Sequence, residues 1–214
     1  LALYLRYNSI PAPHSIFKDI YKLSPGGMIS IGLDLKRNTE IFYWSTIEEA
    51  NIAKQEVFSG SYLSAVDTLQ SKLSVAVNSQ MHADVPLGAF LSGGVDSSTI
   101  AALMQEQSSK KVKTFSIGFE DKRYNEAEHA KLVANHLGTD HHDMYVSSKD
   151  ALNVLPLLPD MFDEPFADSS QIPMYLVSKI AKTKVTVCLS GDGGDELFGG
   201  YNRYLVASKL WNKI

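Results

Sequence analysis

The chain predicts an α/β fold, a parallel twisted sheet with helices on both faces, preceded by a short β-rich remnant. Three observations predict it. Helical and strand patterns alternate from about residue 61 to residue 189, the arrangement that favours parallel strands joined by crossover helices. The middle of that stretch reads strand, helix, strand, helix, strand, a βαβαβ unit. Leu91, Ile117 and Ser190 fall at strand ends, where ligands bind in such sheets, and Gly-rich loops follow at Ser92 and Ser190.

In order along the chain, Leu1–Tyr7 reads like the middle of a structured domain, and the turn signals Ile10-Pro11-Ala12-Pro13-His14 and Ser24-Pro25-Gly26-Gly27 follow. Strand-like runs lie at Met28–Ile31 and Glu40–Trp44. From Ser61 the period changes: Tyr62, Ala65, Val66, Leu69, Leu73, Ala76 and Val77 recur at helical spacing, predicting a helix to about His82. A strand ending at Leu91 comes next, then a helix opened by Ser97 and Ser98 and continuing through Met104, and a strand over Val112–Phe119. Asn125–Leu137 reads as a helix stopped by Gly138, His142–Val146 as a strand, and Ser148–Phe162 and Gln171–Ala181 as helices. The strand Val185–Leu189 feeds an Asp-Gly-rich loop, and no internal repeat appears.

With 214 residues, 44% hydrophobic and 21% charged, the chain can bury a substantial core. A net charge of -4 offers no basic field for nucleic acid, and no apolar run approaches membrane-spanning length, so a soluble cytoplasmic protein without a membrane partner is expected. The single cysteine, Cys188, has no disulfide partner and reads as a small core residue. The chain starts at Leu1 and ends inside a helical region, so it reads as a fragment.

The chemistry concentrates in Ser92-Gly93-Gly94-Val95-Asp96-Ser97-Ser98. Two glycines allow close backbone approach, and free N–H groups and hydroxyls converge at a strand-to-helix turn, which makes a pyrophosphate cradle for ATP. A Walker loop would end in Gly-Lys-Ser or Gly-Lys-Thr, and neither triplet occurs. Asp96 beside a polyphosphate calls for magnesium between them, and Asp195 is the second candidate carboxylate. Asp140-His141-His142-Asp143 with His136 resembles zinc chemistry, but His141 and His142 enter a strand and point to opposite faces. Glu126, Glu128 and Lys131 read as a solvated helix face. The Asp-Gly-rich loop lacks the alternating ligands and distal glutamate of an EF-hand.

The Ser92–Ser98 loop resembles that of the N-type ATP pyrophosphatases, a superfamily with an adenine nucleotide alpha hydrolase-like fold. Leu189-Ser190-Gly191-Asp192-Gly193-Gly194-Asp195-Glu196-Leu197-Phe198-Gly199-Gly200-Tyr201 and Asp163-Glu164-Pro165-Phe166-Ala167-Asp168-Ser169-Ser170 narrow it: both are similar to segments of the glutamine-dependent asparagine synthetases, and the likeness extends along nearly the whole chain. The resemblance implies that residues 1–58 are the end of an N-terminal glutaminase domain and linker, and 59–214 the N-terminal part of the synthetase domain. It implies magnesium at Asp96 and Asp195, and polyphosphate at Ser92, Gly93, Gly94, Ser97 and Ser98. Leu91 and Ile117 would lie at the adenosine, where sheet core is the ordinary alternative, with Ser190 and Gly191 near the ribose. Asp192 and Glu196 would be orienting or proton-handling carboxylates. Asp163 and Glu164 could line the acceptor site, while Ser169 or Ser170 caps the next helix.

The implied reaction is adenylation of the aspartate side-chain carboxylate with release of pyrophosphate, then amide formation with ammonia that the glutaminase domain draws from glutamine. A homodimer is compatible with the resemblance. Many members carry Gly-Glu-Gly-Ser-Asp-Glu where this chain has Gly191-Asp192-Gly193-Gly194-Asp195-Glu196. That departure keeps open a relative acting on a sugar acid in surface-polysaccharide synthesis. A non-catalytic nucleotide-binding module and a tRNA-thiolating pyrophosphatase are the other classes, the latter disfavoured by one cysteine and a negative balance. The family's adenylation lysine comes from beyond this stretch, so the chain is expected to bind nucleotide and turn over poorly.

Overall fold

The structure, a computed structural model, describes residues 1–34, 39–119 and 125–211. Two units divide the chain: Leu1–Val66 with Pro156–Ser169, and Asp67–Leu155 with Ser170–Ile214. In the first unit, α1 (Ala2–Tyr7) ends at Asn8, whose left-handed backbone (φ 58°) turns the chain. β1 (Gly27–Met28) and β2 (Ile41–Phe42) pair antiparallel, with Gly27 opposite Phe42. The strands expected over Met28–Ile31 and Glu40–Trp44 shorten to this pair, because Met28, Ile41 and Phe42 are all exposed and no buried face sustains a longer ladder. α2 (Thr46–Gln55) starts where Ser45 Oγ accepts the Glu48 N–H at 3.4 Å.

The second unit carries a four-stranded parallel sheet. After α3 (Tyr62–Met81) come β3 (Leu87–Phe90), α4 (Val95–Glu106), β4 (Lys113–Phe119), α5 (Ala127–Leu137) and β5 (Asp140–Val146). Then follow α6 (Ser148–Val154), a 3-10 turn (Leu155–Leu157), α7 (Leu158–Met161), α8 (Gln171–Ala181), β6 (Val187–Leu189), α9 (Gly194–Phe198) and α10 (Asn202–Trp211). The helix expected over Ser148–Phe162 is thus broken, because Pro156 and Pro159 cannot donate to the helical ladder. α4 starts two residues before Ser97, with Gly94 in the cap position. Ser170 holds the N-cap position of α8 but makes no side-chain cap bond, so the expected capping is absent there.

The strand order is β5-β4-β3-β6, with Ala89 aligned to Thr114 on one side and to Leu189 on the other. Alternation assigns the faces. Ala89 packs with Val77 of α3 and Leu103 and Met104 of α4, and Leu91 with Ala101 of α4 and Ala130 and Ala134 of α5. On the other face Phe115, with Phe90 and Ile117, packs against Val177 and Ala181 of α8 and the buried Val185. Helices therefore cover both faces. Cys188 is half-buried on the α8 face, and burial pushes its thiol up to about 11. Among the described residues no helix is long and apolar enough to cross a membrane.

His141 and His142 do face opposite ways. His142 stacks on Phe115 with ring centroids 5.5 Å apart. His141 joins a polar network: Thr114 Oγ1 lies 2.9 Å from both Thr139 Oγ1 and His141 Nδ1, and Ser116 Oγ lies 3.2 Å from His141 Nε2. Burial holds His141 below the usual histidine range; His142 and Lys131 lower it further, and Asp143 opposes them. Between its folded value and about 6.5, the unfolded chain binds the extra proton, so stability rises with pH across that window. This contribution is complete above about 6.5 and is lost as pH falls toward the folded value. Thermal midpoints measured from pH 7.5 down to about 5 are expected to fall less steeply in His141→Gln than in the parent chain.

Candidate functional site

β3 continues into β4 on one side and pairs with β6 on the other, which makes the carboxyl ends of β3 and β6 the switch point of the sheet. Both Gly-rich loops emerge there. In the first, Ser92 and Ser97 hydroxyls lie 2.9 Å apart, Ser92 N–H donates to Ser97 Oγ at 3.1 Å, and Gly94 N–H donates to Ser92 Oγ at 3.2 Å. Gly93 has φ 83°, and a Cβ on it would stand 2.7 Å from Ala130 N and 2.8 Å from His129 Cβ, so only glycine lets the loop rest on the first turn of α5. α4, 12 residues long, has no side-chain cap on its N-terminal N–H groups, which suits an anion.

The second loop turns at Gly191–Gly194, with Gly194 N–H donating to Gly191 O at 3.1 Å and Asp192 N–H to Ser190 Oγ at 3.4 Å. It presses on the first. A Cβ on Gly191 would meet Ser97 N at 2.7 Å and Asp96 C at 2.9 Å, and one on Gly194 would meet the Asp96 carboxylate at 2.5 Å. Beside this contact opens a cavity of about 400 Å³, walled by Leu69 and Leu73 of α3, Val95, Thr99 and Ile100 of α4, and Leu197 and Phe198 of α9, with Asp96 and Asp192 at its polar side. A larger cavity, about 610 Å³, lies against Phe90, α8 and β6 and is lined by Cys188 but by none of the candidate site residues.

The structure brings Ser92, Gly93, Gly94, Asp96, Ser97, Ser190, Gly191 and Asp192 together at the two loops. The remaining residues lie otherwise. The Leu91 side chain is 1% exposed in the core under α4 and α5, and its N–H is bound to Phe115 O at 2.8 Å, while Ile117 packs into the core under α8. Ser98 Oγ is buried with no hydrogen-bond partner among the described residues, so it does not face solvent as a phosphate donor would. Asp195 is turned toward Gly200, where any side chain would collide with its carboxylate. Asp163 and Glu164 belong to the first unit. There Glu164 pairs with Lys22 and accepts the Ile16 N–H at 3.0 Å, and Lys22 also donates to Ile10 O at 2.5 Å. Those bonds pin the 156–169 segment to the chain's beginning.

Glu196 accepts the Tyr201 hydroxyl at 2.7 Å, and Arg203 stacks 3.9 Å over the Tyr201 ring. That hydrogen bond holds Glu196 below the usual carboxylate range and raises the Tyr201 phenol. Glu128, read as part of a solvated face, accepts the Tyr145 hydroxyl at 2.9 Å. The contact of Gly194 with the Asp96 carboxylate, and those of Tyr201 with Glu196 and of Arg203 with Tyr201, are ones that the spacing of the motif does not reveal. Among the described residues no three His, Cys, Asp or Glu side chains cluster as a metal cage. Asp96 and Asp192 share the cavity as hard oxygen donors, which fits magnesium bound by one or two carboxylates and phosphate oxygens.

Residues 68–214 match the family model described as Asparagine synthase. A Methanocaldococcus jannaschii protein, provisionally named asparagine synthetase (glutamine-hydrolyzing) 2, is 39% identical over 209 residues, covering 97% of this chain and 39% of that protein. Asparagine synthetase (glutamine-hydrolyzing) 1 of Bacillus subtilis is 35% identical over 204 residues, 95% of this chain and 31% of that protein. An NH3-dependent NAD synthetase structure from Campylobacter jejuni aligns over 64% of this chain and 60% of its own with 14% identity and a TM-score of 0.43, too slight a likeness to build on. The chain thus spans well under half the length of these two curated relatives. On the match over 68–214 and the identity to both relatives, the chain belongs to the asparagine synthase family.

Proposed function

We propose that this chain is the nucleotide-activating part of an ATP-dependent amide-forming ligase, which adenylates the aspartate side-chain carboxylate, releases pyrophosphate and forms asparagine with glutamine-derived ammonia. One observation supports the reading above the others: the two Gly-rich loops meet at the switch point with the Asp96 carboxylate at their contact. Residues 1–58 serve as the end of a glutaminase domain and its linker, and 59–214 as the N-terminal part of the synthetase domain. The protein works in the cytoplasm.

In this reading the Ser92 and Ser97 hydroxyls and the Ser92 and Gly94 N–H groups exchange their mutual bonds for polyphosphate oxygens, and the N-terminus of α4 favours the added negative charge. Asp96, with Asp192 on the same cavity, would hold magnesium, which neutralises charge on the phosphates when bound, whereas Asp195 of α9, the sequence's second candidate, would have to turn from Gly200 to join them. The acceptor carboxylate oxygen attacks the α-phosphorus and pyrophosphate leaves; ammonia then attacks the acyl carbon and AMP leaves. No protein nucleophile is needed, so catalysis rests on positioning and electrostatics. Glu196, held ionised by Tyr201, serves as a fixed anion near neutral pH rather than a proton donor.

The test is the thermal midpoint with and without magnesium and ATP, for the parent chain and Asp96→Ala. At 100 times the dissociation constant, ligand adds about 2.7 kcal/mol to the folded state, so the parent midpoint rises only when magnesium is present and the variant shows no rise. A parent chain with a clear transition and no shift would overturn the reading.

A further inference from the structure

We propose that Gly194 is a positioning residue, whose missing side chain gives the Asp96 carboxylate its seat at the nucleotide-binding loop. A Cβ built on Gly194 would lie 2.5 Å from both Asp96 Cγ and Asp96 Oδ2 and 3.0 Å from Asp96 Cβ. Contacts under 3.0 Å do not persist, so a methyl group at 194 and the carboxylate cannot share that space. The backbone does not demand glycine here. The left-handed residue of this turn is Gly193, at φ 88°, whereas Gly194 is the first residue of α9 and has no positive φ. Alanine suits a helix, so on local grounds Gly194→Ala is mildly favourable. What glycine supplies at 194 is therefore room, and the group occupying that room is Asp96.

The arrangement is specific to the pair. Gly191, three residues earlier, meets the backbone of Asp96 and Ser97, which holds α4 and the second loop together. Gly194 meets the Asp96 side chain, and so governs where the carboxylate lies once the loops are in contact. Enlarging residue 194 swings that carboxylate away without parting the loops.

The inference rests on the proposed nucleotide reading for its effect on binding, and on packing alone for its effect on stability, so a cycle of four chains separates the two: parent, Gly194→Ala, Asp96→Ala and the double variant. Magnesium-dependent ATP affinity, titrated by midpoint shift, is expected to weaken about 10-fold or more in Gly194→Ala, the scale seen when a residue orienting a metal-binding group is lost. In the Asp96→Ala background the same substitution is expected to cause no further loss. Without ligand, Gly194→Ala is expected to lower the midpoint of the parent and to leave unchanged or raise that of Asp96→Ala. Parent-like ATP affinity in Gly194→Ala, or a loss of affinity or midpoint that persists undiminished without the Asp96 carboxylate, would overturn the proposal. If no chain responds to magnesium and ATP, the nucleotide reading fails, and the ligand-free midpoints alone decide whether Gly194 seats Asp96.

Discussion

Gly191→Ala is expected to abolish the magnesium- and ATP-dependent rise in midpoint and to destabilise the ligand-free chain by about 1–3 kcal/mol, the usual cost of forcing extra volume into a packed contact. The added methyl would stand 2.7 Å from Ser97 N and 2.9 Å from the Asp96 carbonyl carbon. Both atoms are backbone in the first turn of α4, so no side-chain rotation relieves the overlap. The strain is relieved only by parting the second loop from α4, which carries Asp192 away from Asp96 and opens the switch point. Gly138→Ala is the matched control. Gly138 has φ 72° and nothing within 4 Å of an added Cβ, so its substitution costs about 1–2 kcal/mol of backbone strain and leaves the nucleotide response intact. Calorimetric midpoints with and without ligand distinguish the two. An unchanged ATP response in Gly191→Ala would show that the loops do not need their contact.

Phe115→Ala is expected to have the largest effect on stability, about 3–5 kcal/mol. Phe115 is fully buried and is the largest wholly enclosed side chain among the described residues. Its ring stacks on His142 of β5 and packs against Val177 and Ala181 of α8 and against Val185, so its removal leaves a hole where the sheet, α8 and the approach to β6 meet. Little collapse is available, since Phe90, Ile117 and Cys188 around it belong to hydrogen-bonded strands. Urea unfolding followed by far-ultraviolet circular dichroism is expected to show a lower midpoint concentration with an unchanged slope. A loss below about 1 kcal/mol would mean that α8 is not held to the sheet through this ring.

Much of this protein is legible in its sequence because much of it is local. Helical spacing from Tyr62 onward placed α3, Gly138 stopped α5 by adopting the left-handed region, and Gln171–Ala181 formed α8 as its pattern predicts. The Ser92–Ser98 turn between β3 and α4 was readable because a strand end, two glycines and a helix start lie within a few consecutive residues. Reading Ser148–Phe162 as one helix failed because apolar spacing was allowed to outweigh Pro156 and Pro159, whose missing N–H groups break the ladder wherever the apolar face points.

Other features depended on groups far apart in the chain. Glu164 was a candidate at the acceptor site by its neighbours, yet its bonds run to Lys22, 142 residues away. Ser98 sits in the cradle's motif, yet its hydroxyl is buried, and Glu196 is steered by Tyr201, which returns beside it only after the chain turns at Gly199 and Gly200. By itself the sequence determined the alternation of strands and helices and the two Gly-rich loops that follow β3 and β6, since both follow from backbone geometry and side-chain period over a few residues. Only the tertiary structure decided the order β5-β4-β3-β6 and the meeting of Gly191 and Gly194 with Asp96. Strand order and close packing are set by contacts between distant segments, where volumes must fit to within a few tenths of an ångström and no local pattern records the partner.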